Sequence, residues 1–272
     1  MFGRNKKADD DIEVVEDATD EDEIKATETD DSEPGDGEAE EAESEVEPAE
    51  PDGASDGESD DEPDDEPEDE WLILDESKDW REDGPFDITE VDLGADKVQR
   101  LDFGSLVVTP FDGMQLQMQI NQATEQVQAL LVVNDESAIE VALFAAPARS
   151  SMLAEVRADM ASATEVAGGT MKLVEGPLGT EIRRVLPATT PEGKEVKQRS
   201  RTWLVQGPRW MLRGVLMGKV AQDAKADDTL MYEFFCNLVV RRGDTPHVPG
   251  DLIPLEIPAA IAADLAKKKG DA

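Results

Sequence analysis

Histidine, cysteine and aromatic side chains are scarce in this 272-residue chain, which has one His, one Cys and 4% Phe, Trp and Tyr. With Cys236 alone, an internal disulfide and a cysteine-based metal site within one chain are both excluded. With His247 alone, set in a loop near Pro246 and Pro249, a His-dependent catalytic triad has a single, poorly placed candidate. No run approaches the ~20 apolar residues that a membrane-spanning helix needs. The first residues, "MFGRNKKADDD", have no apolar stretch behind their few bases, so no secretory signal and no membrane association are expected. The cytoplasm is the expected location.

Catalytic signatures are missing as well. "GDG" (35–37) lies in an acidic stretch, and "GPLGT" (176–180) lacks the Lys-Ser/Thr of a phosphate loop. Neither a G-x-S-x-G elbow nor an H-E-x-x-H pair occurs. "DDEPDDEPEDE" (60–70) lacks the glycine-punctuated spacing of a calcium loop. No cofactor, metal site or catalytic residue is therefore expected. Cys236, among Phe234, Phe235 and Leu238, reads as a buried structural thiol.

What is abundant is acid, unevenly spread. Residues 1–70 hold 34 Asp and Glu against Arg4, Lys6, Lys7 and Lys25, a net charge of −30; the remaining 202 residues hold 31 acids and 22 bases, a net of −9. Residues 8–70 contain no aromatic side chain and few large aliphatics, Ile12, Val14, Val15 and Ile24 among them. Such a segment cannot bury enough apolar surface to offset its ordering entropy, and its charges repel. The expected organisation is a disordered acidic region over 1–80, a globular domain over 81–250, and a proline-rich exit with a short helix or tail over 251–272. "EWLIL" (70–74) interrupts the acidic pattern, either to dock on a partner or to pack on the body.

The body alternates with period two. Met114, Leu116, Met118 and Ile120 oppose three glutamines and Asn121, the pattern of a half-buried antiparallel strand. Strands are expected around 100–110, broken at Gly104, over 125–147 with a turn at "NDES", and over 170–176, 180–188, 196–206 and 209–218. Helices are expected over about 150–166, capped by Ser150 or Ser151, and over about 227–239, capped by Asp227 or Asp228. The fold class is α+β, mainly an antiparallel sheet of short strands with two main helices, preceded by the acidic arm.

One stretch inverts the charge. Between Arg183 and Lys219 lie nine bases and two acids, a net of +7. Alternation puts Lys197, Arg199, Arg201, Trp203 and Val205 on one face of their strand. On the next strand it groups Arg209, Met211 and Arg213 against Trp210, Leu212 and Leu216. The candidate binding surface is thus Arg199, Arg201, Trp203, Arg209, Trp210 and Arg213. The anionic partner it suits is a nucleic acid, a nucleotide or an acidic protein. The opposing reading balances the bases within the protein and puts both tryptophans in the core.

Several stretches together resemble an uncharacterised actinobacterial family, a domain of unknown function. They are "GPFD" (84–87), "RLDFGSLVV" (100–108), "ALFAAPARS" (142–150), "GPLGTE" (176–181), "GPRWMLRG" (207–214) and "LVVRRGDTPHVPGDLIPLEIP" (238–258). "GPRWMLRG", a GPRW-x-LRG motif, is the most specific. The resemblance implies a cytoplasmic protein with a variable charged N-terminal region, often encoded near a dUTP-hydrolysing enzyme. It implies no activity or catalytic residue. The element order is also similar to antiparallel sandwiches of small photosystem-associated and Ran-binding proteins. The expected function is a non-catalytic binding module whose basic sheet face is screened by its own acidic arm. The alternative is an enzyme or sensor that takes a phosphorylated small molecule in an arginine-lined pocket, with a carboxylate such as Glu181.

Overall fold

Short polar turns between alternating strands fold the body into two antiparallel meanders that share one sheet. The structure, a computed structural model, describes residues 12–15, 70–121, 124, 126–190, 193–223, 225–258 and 261. All of them belong to one of two compact units, residues 1–22 with 69–272; the other, 23–68, contains no described residue. Apart from residues 12–15, the expected disordered arm lies outside the described residues up to Asp69.

In chain order the elements are β1 (Ile12–Val15), α1 (Glu70–Glu76), β2 (Phe86–Asp87), β3 (Leu101–Asp102), β4 (Leu106–Val108), β5 (Gln115–Asn121), β6 (Gln126–Asn134) and β7 (Ser137–Ala145). They continue with α2 (Leu153–Val166), β8 (Thr170–Gly176), β9 (Gly179–Thr189), β10 (Glu195–Gly207), β11 (Trp210–Gly218), α3 (Lys219–Gln222), α4 (Thr229–Cys236) and β12 (Val239–Val240). The large sheet has the order β1-β5-β6-β7-β11-β10-β9-β8, and a small one has β2-β12-β4-β3. The meander β5–β7 meets the meander β8–β11 where β7 pairs antiparallel with β11.

Each face of the large sheet carries its own core. α2 covers one face with Met152, Val156 and Met160, against Phe144, Ile182 and Leu204. The other face gathers Trp203, Trp210, Leu212 and Leu216 against Phe103, Phe235 and Leu238 of the segments around the small sheet and α4. Burial of such apolar surface is the main favourable term in folding. The two expected helices are present but shorter, 153–166 and 229–236; their N-cap positions are Met152 and Asp228, neither with a side-chain capping bond, and Ser151 and Asp227 act one residue earlier. The Asp227 carboxylate accepts the Thr229 N–H at 3.0 Å, while the Ser151 hydroxyl accepts that of Leu153 at 3.3 Å.

Two segments depart from the sequence reading, and within the arm Ile12–Val15 pair as a strand parallel to β5. Residues 70–76, counted with that arm, form α1, which docks on the body. The Asp75 carboxylate accepts the Thr180 N–H at 2.9 Å and pairs with the buried Arg157 of α2. The Trp80 indole closes the helix by donating to the Leu74 carbonyl at 2.9 Å. "EWLIL" therefore engages the body. The proline-rich segment read as an exit is woven into both sheets. β6 and β7 pair only between Leu130–Asn134 and Ser137–Val141, and then part. Into the gap Ile253 donates to the Leu143 carbonyl at 2.8 Å and Leu255 to Val127 at 2.9 Å, while Glu256 donates to Phe103 beside the small sheet at 2.8 Å. Pro254, between Ile253 and Leu255, has no N–H of its own to be satisfied.

The register Trp203↔Gly214 sets the packing of α4. A Cβ at Gly214 would come within 2.6 Å of the Phe235 ring, which stacks edge-on to Trp203 at 5.7 Å. Gly214→Ala is expected to destabilise the fold by about 1–3 kcal/mol through overpacking. Urea unfolding would show a lower midpoint at unchanged slope; an unaltered midpoint would contradict this packing.

Candidate functional site: the basic hairpin and its buried carboxylates

A tryptophan on the core face of a strand buries an indole N–H that needs an acceptor. Trp203 on β10 and Trp210 on β11 are 1% and 0% exposed, and each finds a buried carboxylate. Trp203 Nε1 donates to Glu181 Oε2 at 2.9 Å, and Trp210 Nε1 donates to Asp87 Oδ2 at 2.9 Å. Glu181 stands on β9, in "GPLGTE"; Asp87 ends "GPFD".

Glu181 is the centre of an ion-pair network. Its Oε1 accepts from Arg183 Nε at 2.8 Å and Arg201 Nε at 2.9 Å; its Oε2 accepts from Arg201 Nη2 at 2.7 Å as well as from Trp203. Four donors fill the roughly four lone-pair sites of a carboxylate. Arg201 also donates from Nη1 to Asp228 Oδ2 at 2.7 Å and to the Val220 carbonyl at 3.3 Å. Burial alone would push the Glu181 carboxyl up, but the Arg201, Arg183 and Trp203 donors outweigh it and hold the group below its ordinary value. Burial would lower the Arg201 guanidinium, and Glu181 and Asp228 outweigh that to raise it.

Asp87 is held in the same way. Its Oδ1 accepts from the Thr89 N–H at 3.0 Å and the Thr89 hydroxyl at 2.7 Å. Desolvation opposes its ionisation, yet the Thr89 and Trp210 donors leave its carboxyl below the usual range. Arg81 lies over the Trp210 ring at 5.5 Å and forks onto Glu90 with two 2.6 Å bonds.

The "GPRW" turn is built for Trp210. The hairpin pairs Gly207 with Trp210, leaving Pro208 and Arg209 as a two-residue loop. A Cβ on Gly207 would meet the Trp210 ring at 2.2 Å. Pro208 presets the first loop position. Arg209 takes the second with φ of 62°, a conformation that L residues rarely adopt. Its carbonyl is held by the Ala146 N–H at 3.1 Å and by Arg242 Nε at 3.0 Å. Arg242 is buried, and desolvation with the charge of Arg209 lowers its ordinary value.

The six residues of the sequence-derived surface are thus divided. Trp203 and Trp210 are core residues. Arg201 is half-buried and committed to Glu181 and Asp228. Arg213 faces the opposite side of the sheet, because the register sets it against Leu204 rather than Trp203. There it lies over Phe144 at 5.1 Å, with Nη2 3.5 Å from Glu140. Arg209 is exposed at the loop and donates to the Gly243 carbonyl at 3.3 Å. Arg199 is exposed on β10, where β9 and β10 run on as a two-stranded ribbon.

Sequence reasoning passed over Lys172 and left Arg183 and Lys197 off the candidate surface. Lys172 of β8 is the register partner of Arg183, which in turn opposes Arg201; Arg199 and Lys197 follow along β10 on the same face. Lys172, Arg183, Lys197 and Arg199 are all exposed. Pairing register was the missing signal, since strand alternation alone does not say which strands are neighbours. Cys236 is buried, and burial pushes its thiol up to about 11, far from a nucleophile's range. Among the described residues no group of three or more His, Cys, Asp and Glu is placed to hold a metal ion, and no helix is long and apolar enough to cross a membrane.

Residues 84–264 match the family described as "Protein of unknown function (DUF3710)". No curated protein matches the chain. A crystal structure from Bacteroides thetaiotaomicron VPI-5482 is similar at 10% identity and a TM-score of 0.33, over 63% of this chain; the chain spans only 56% of that one.

Because the folded-state values of Glu181 and Asp87 lie below their ordinary ones, the stability they add is complete above the ordinary carboxylate range. It is lost as pH falls through the folded-state values. Glu181→Gln is expected to cost about 3–5 kcal/mol at neutral pH by breaking a buried pair. It should also flatten the fall of Tm on acidification. Equal acid sensitivity in both proteins would contradict this account.

Proposed function

The chain belongs to the DUF3710 family, and we propose that its body is a non-catalytic binding module for an anionic partner, presented with Lys172, Arg183, Lys197 and Arg199. The observation that carries this reading is the partition of the basic residues. Arg201 and Arg213 face carboxylates and Arg183 shares Glu181 with Arg201, whereas Lys172, Lys197 and Arg199 stand exposed on the same face at one corner of the sheet. Arg183 still keeps part of its charge turned outward, with a side chain 46% exposed. A strip of four cations on strands suits a repeating anion such as a nucleic-acid backbone or an acidic peptide segment.

In this reading the chain divides into an acidic region up to residue 69 and a body from α1 through the C-terminal segment. The acidic region, with its large negative charge, is the screen for this corner at low ionic strength. The same proposal puts the protein in the cytoplasm. It also groups the protein with actinobacterial relatives sharing the GPRW-x-LRG motif, some of them encoded near a dUTP-hydrolysing enzyme. The alternative, an arginine-lined pocket for a phosphorylated small molecule, gains little from Arg201 and Glu181. Their donors and acceptors are already matched to each other.

Binding of single-stranded DNA, RNA and a nucleotide panel across a salt series tests the reading, on the full chain and on residues 70–272. The shorter chain should bind a polyanion with log K falling linearly in log salt. In it, Lys197→Glu with Arg199→Glu should abolish binding while leaving Tm unchanged. Saturable, salt-insensitive binding of one nucleotide would replace this function with the pocket.

A further inference from the structure

Sheet edges need protection, and the two ends of the large sheet differ in how they get it. An edge strand offers unpaired N–H and C=O groups to any passing strand, and natural proteins blunt it with charge, proline, brevity or a cover. β8, at one end, carries Lys172 and Glu175. β5, at the other, reads QLQMQIN; it is seven residues long, without a charge or a proline. A register shift against β6 at Gln119/Ile120 disturbs only its far end, and its cover is β1, paired in parallel with the register Ile12↔Leu116 to Val15↔Gln119.

The composition of the arm singles out the same four residues independently. Between residues 8 and 69 there are five large aliphatics; three of them, Ile12, Val14 and Val15, fall within four positions, while Ile24 and Val46 stand alone. β-branched residues favour strands. Asp9, Asp10 and Asp11 precede this island, and Glu16 and Asp17 follow it, charges that stop a strand from growing or stacking on others.

We propose that the outer edge of β5 is a strand-binding site for a short β-branched segment flanked by acids, filled in cis by residues 12–15 as a releasable cover. Four residues of ladder are a small contact, so the cover opens far more readily than the body unfolds. Release bares an uncharged edge that takes the same segment in trans. This inference is independent of the basic corner, which lies on other strands.

The test uses the full chain with Glu13→Pro and Val14→Pro together, since adjacent prolines remove the ladder N–H whichever residue supplies it. Hydrogen exchange is followed by mass spectrometry over residues 114–122. Exchange there should rise roughly 5- to 30-fold, the factor equivalent to one or two kcal/mol. Ala26→Pro with Thr27→Pro, in the same arm but outside the strand, should leave it unchanged. A synthetic peptide of residues 8–19, added to the Glu13/Val14 variant, should restore protection saturably. Concentration-dependent self-association of that variant alone would also support a bared edge. Equal exchange in all three proteins, or no restoration by the peptide, would overturn the proposal.

Discussion

Two indole N–H groups buried on one face of a sheet constrain most of this fold. Each needs an acceptor that water cannot supply, and each takes a carboxylate from a distant part of the chain. Trp210 reaches back 123 residues to Asp87, and Trp203 reaches 22 residues to Glu181. A buried carboxylate is itself costly, so each demands further donors. Arg201 and Arg183 serve Glu181, and Thr89 serves Asp87. Arg201 in turn ties β10 to Asp228 and the carbonyl of Val220, which locates α3 and α4. The GPRW turn, the glycine beneath Phe235 and the arginine network are parts of one arrangement around these two indoles.

That arrangement explains how a charge inversion can sit in a very acidic protein without being one continuous surface. Arg201 and Arg213 are drawn onto facing acids, while Arg209 stays exposed at the turn. Lys197 and Arg199, toward the free end of β10, stay in solvent. The functional reading therefore shifts along the same strands from the hairpin turn to the ribbon, and from tryptophan-flanked arginines to Lys172, Arg183, Lys197 and Arg199.

Much of the architecture was legible in the residues. Alternation in 114–121, the NDES turn and the Gly-Pro hairpin marked strands that exist, because period and turn chemistry are local properties. The faces of β10 and β11 were also sorted correctly one strand at a time. What was not legible was relational. Register decided that Arg213 and Arg201 lie on opposite faces, and no single strand encodes that. Residues 250–256 carry proline and look like an exit, yet their donors complete a sheet whose gap only the folded chain reveals. Among dozens of carboxylates, nothing local marked Asp87 and Glu181 as the ones that would be buried. The buried tryptophans ask for acceptors, but they do not say which.

The seam between β6 and β7 has a consequence for the order of assembly. Leu143 and Val127 wait for Ile253 and Leu255, residues more than a hundred positions later. During synthesis, the first meander emerges with its splayed end unpaired, and it stays so until residues 253–255 have left the ribosome. Contacts of such long sequence separation are slow to form. The body thus acquires its final sheet only after residues 253–255 are made, and a nascent chain stopped short of residue 253 lacks the donors that complete this seam.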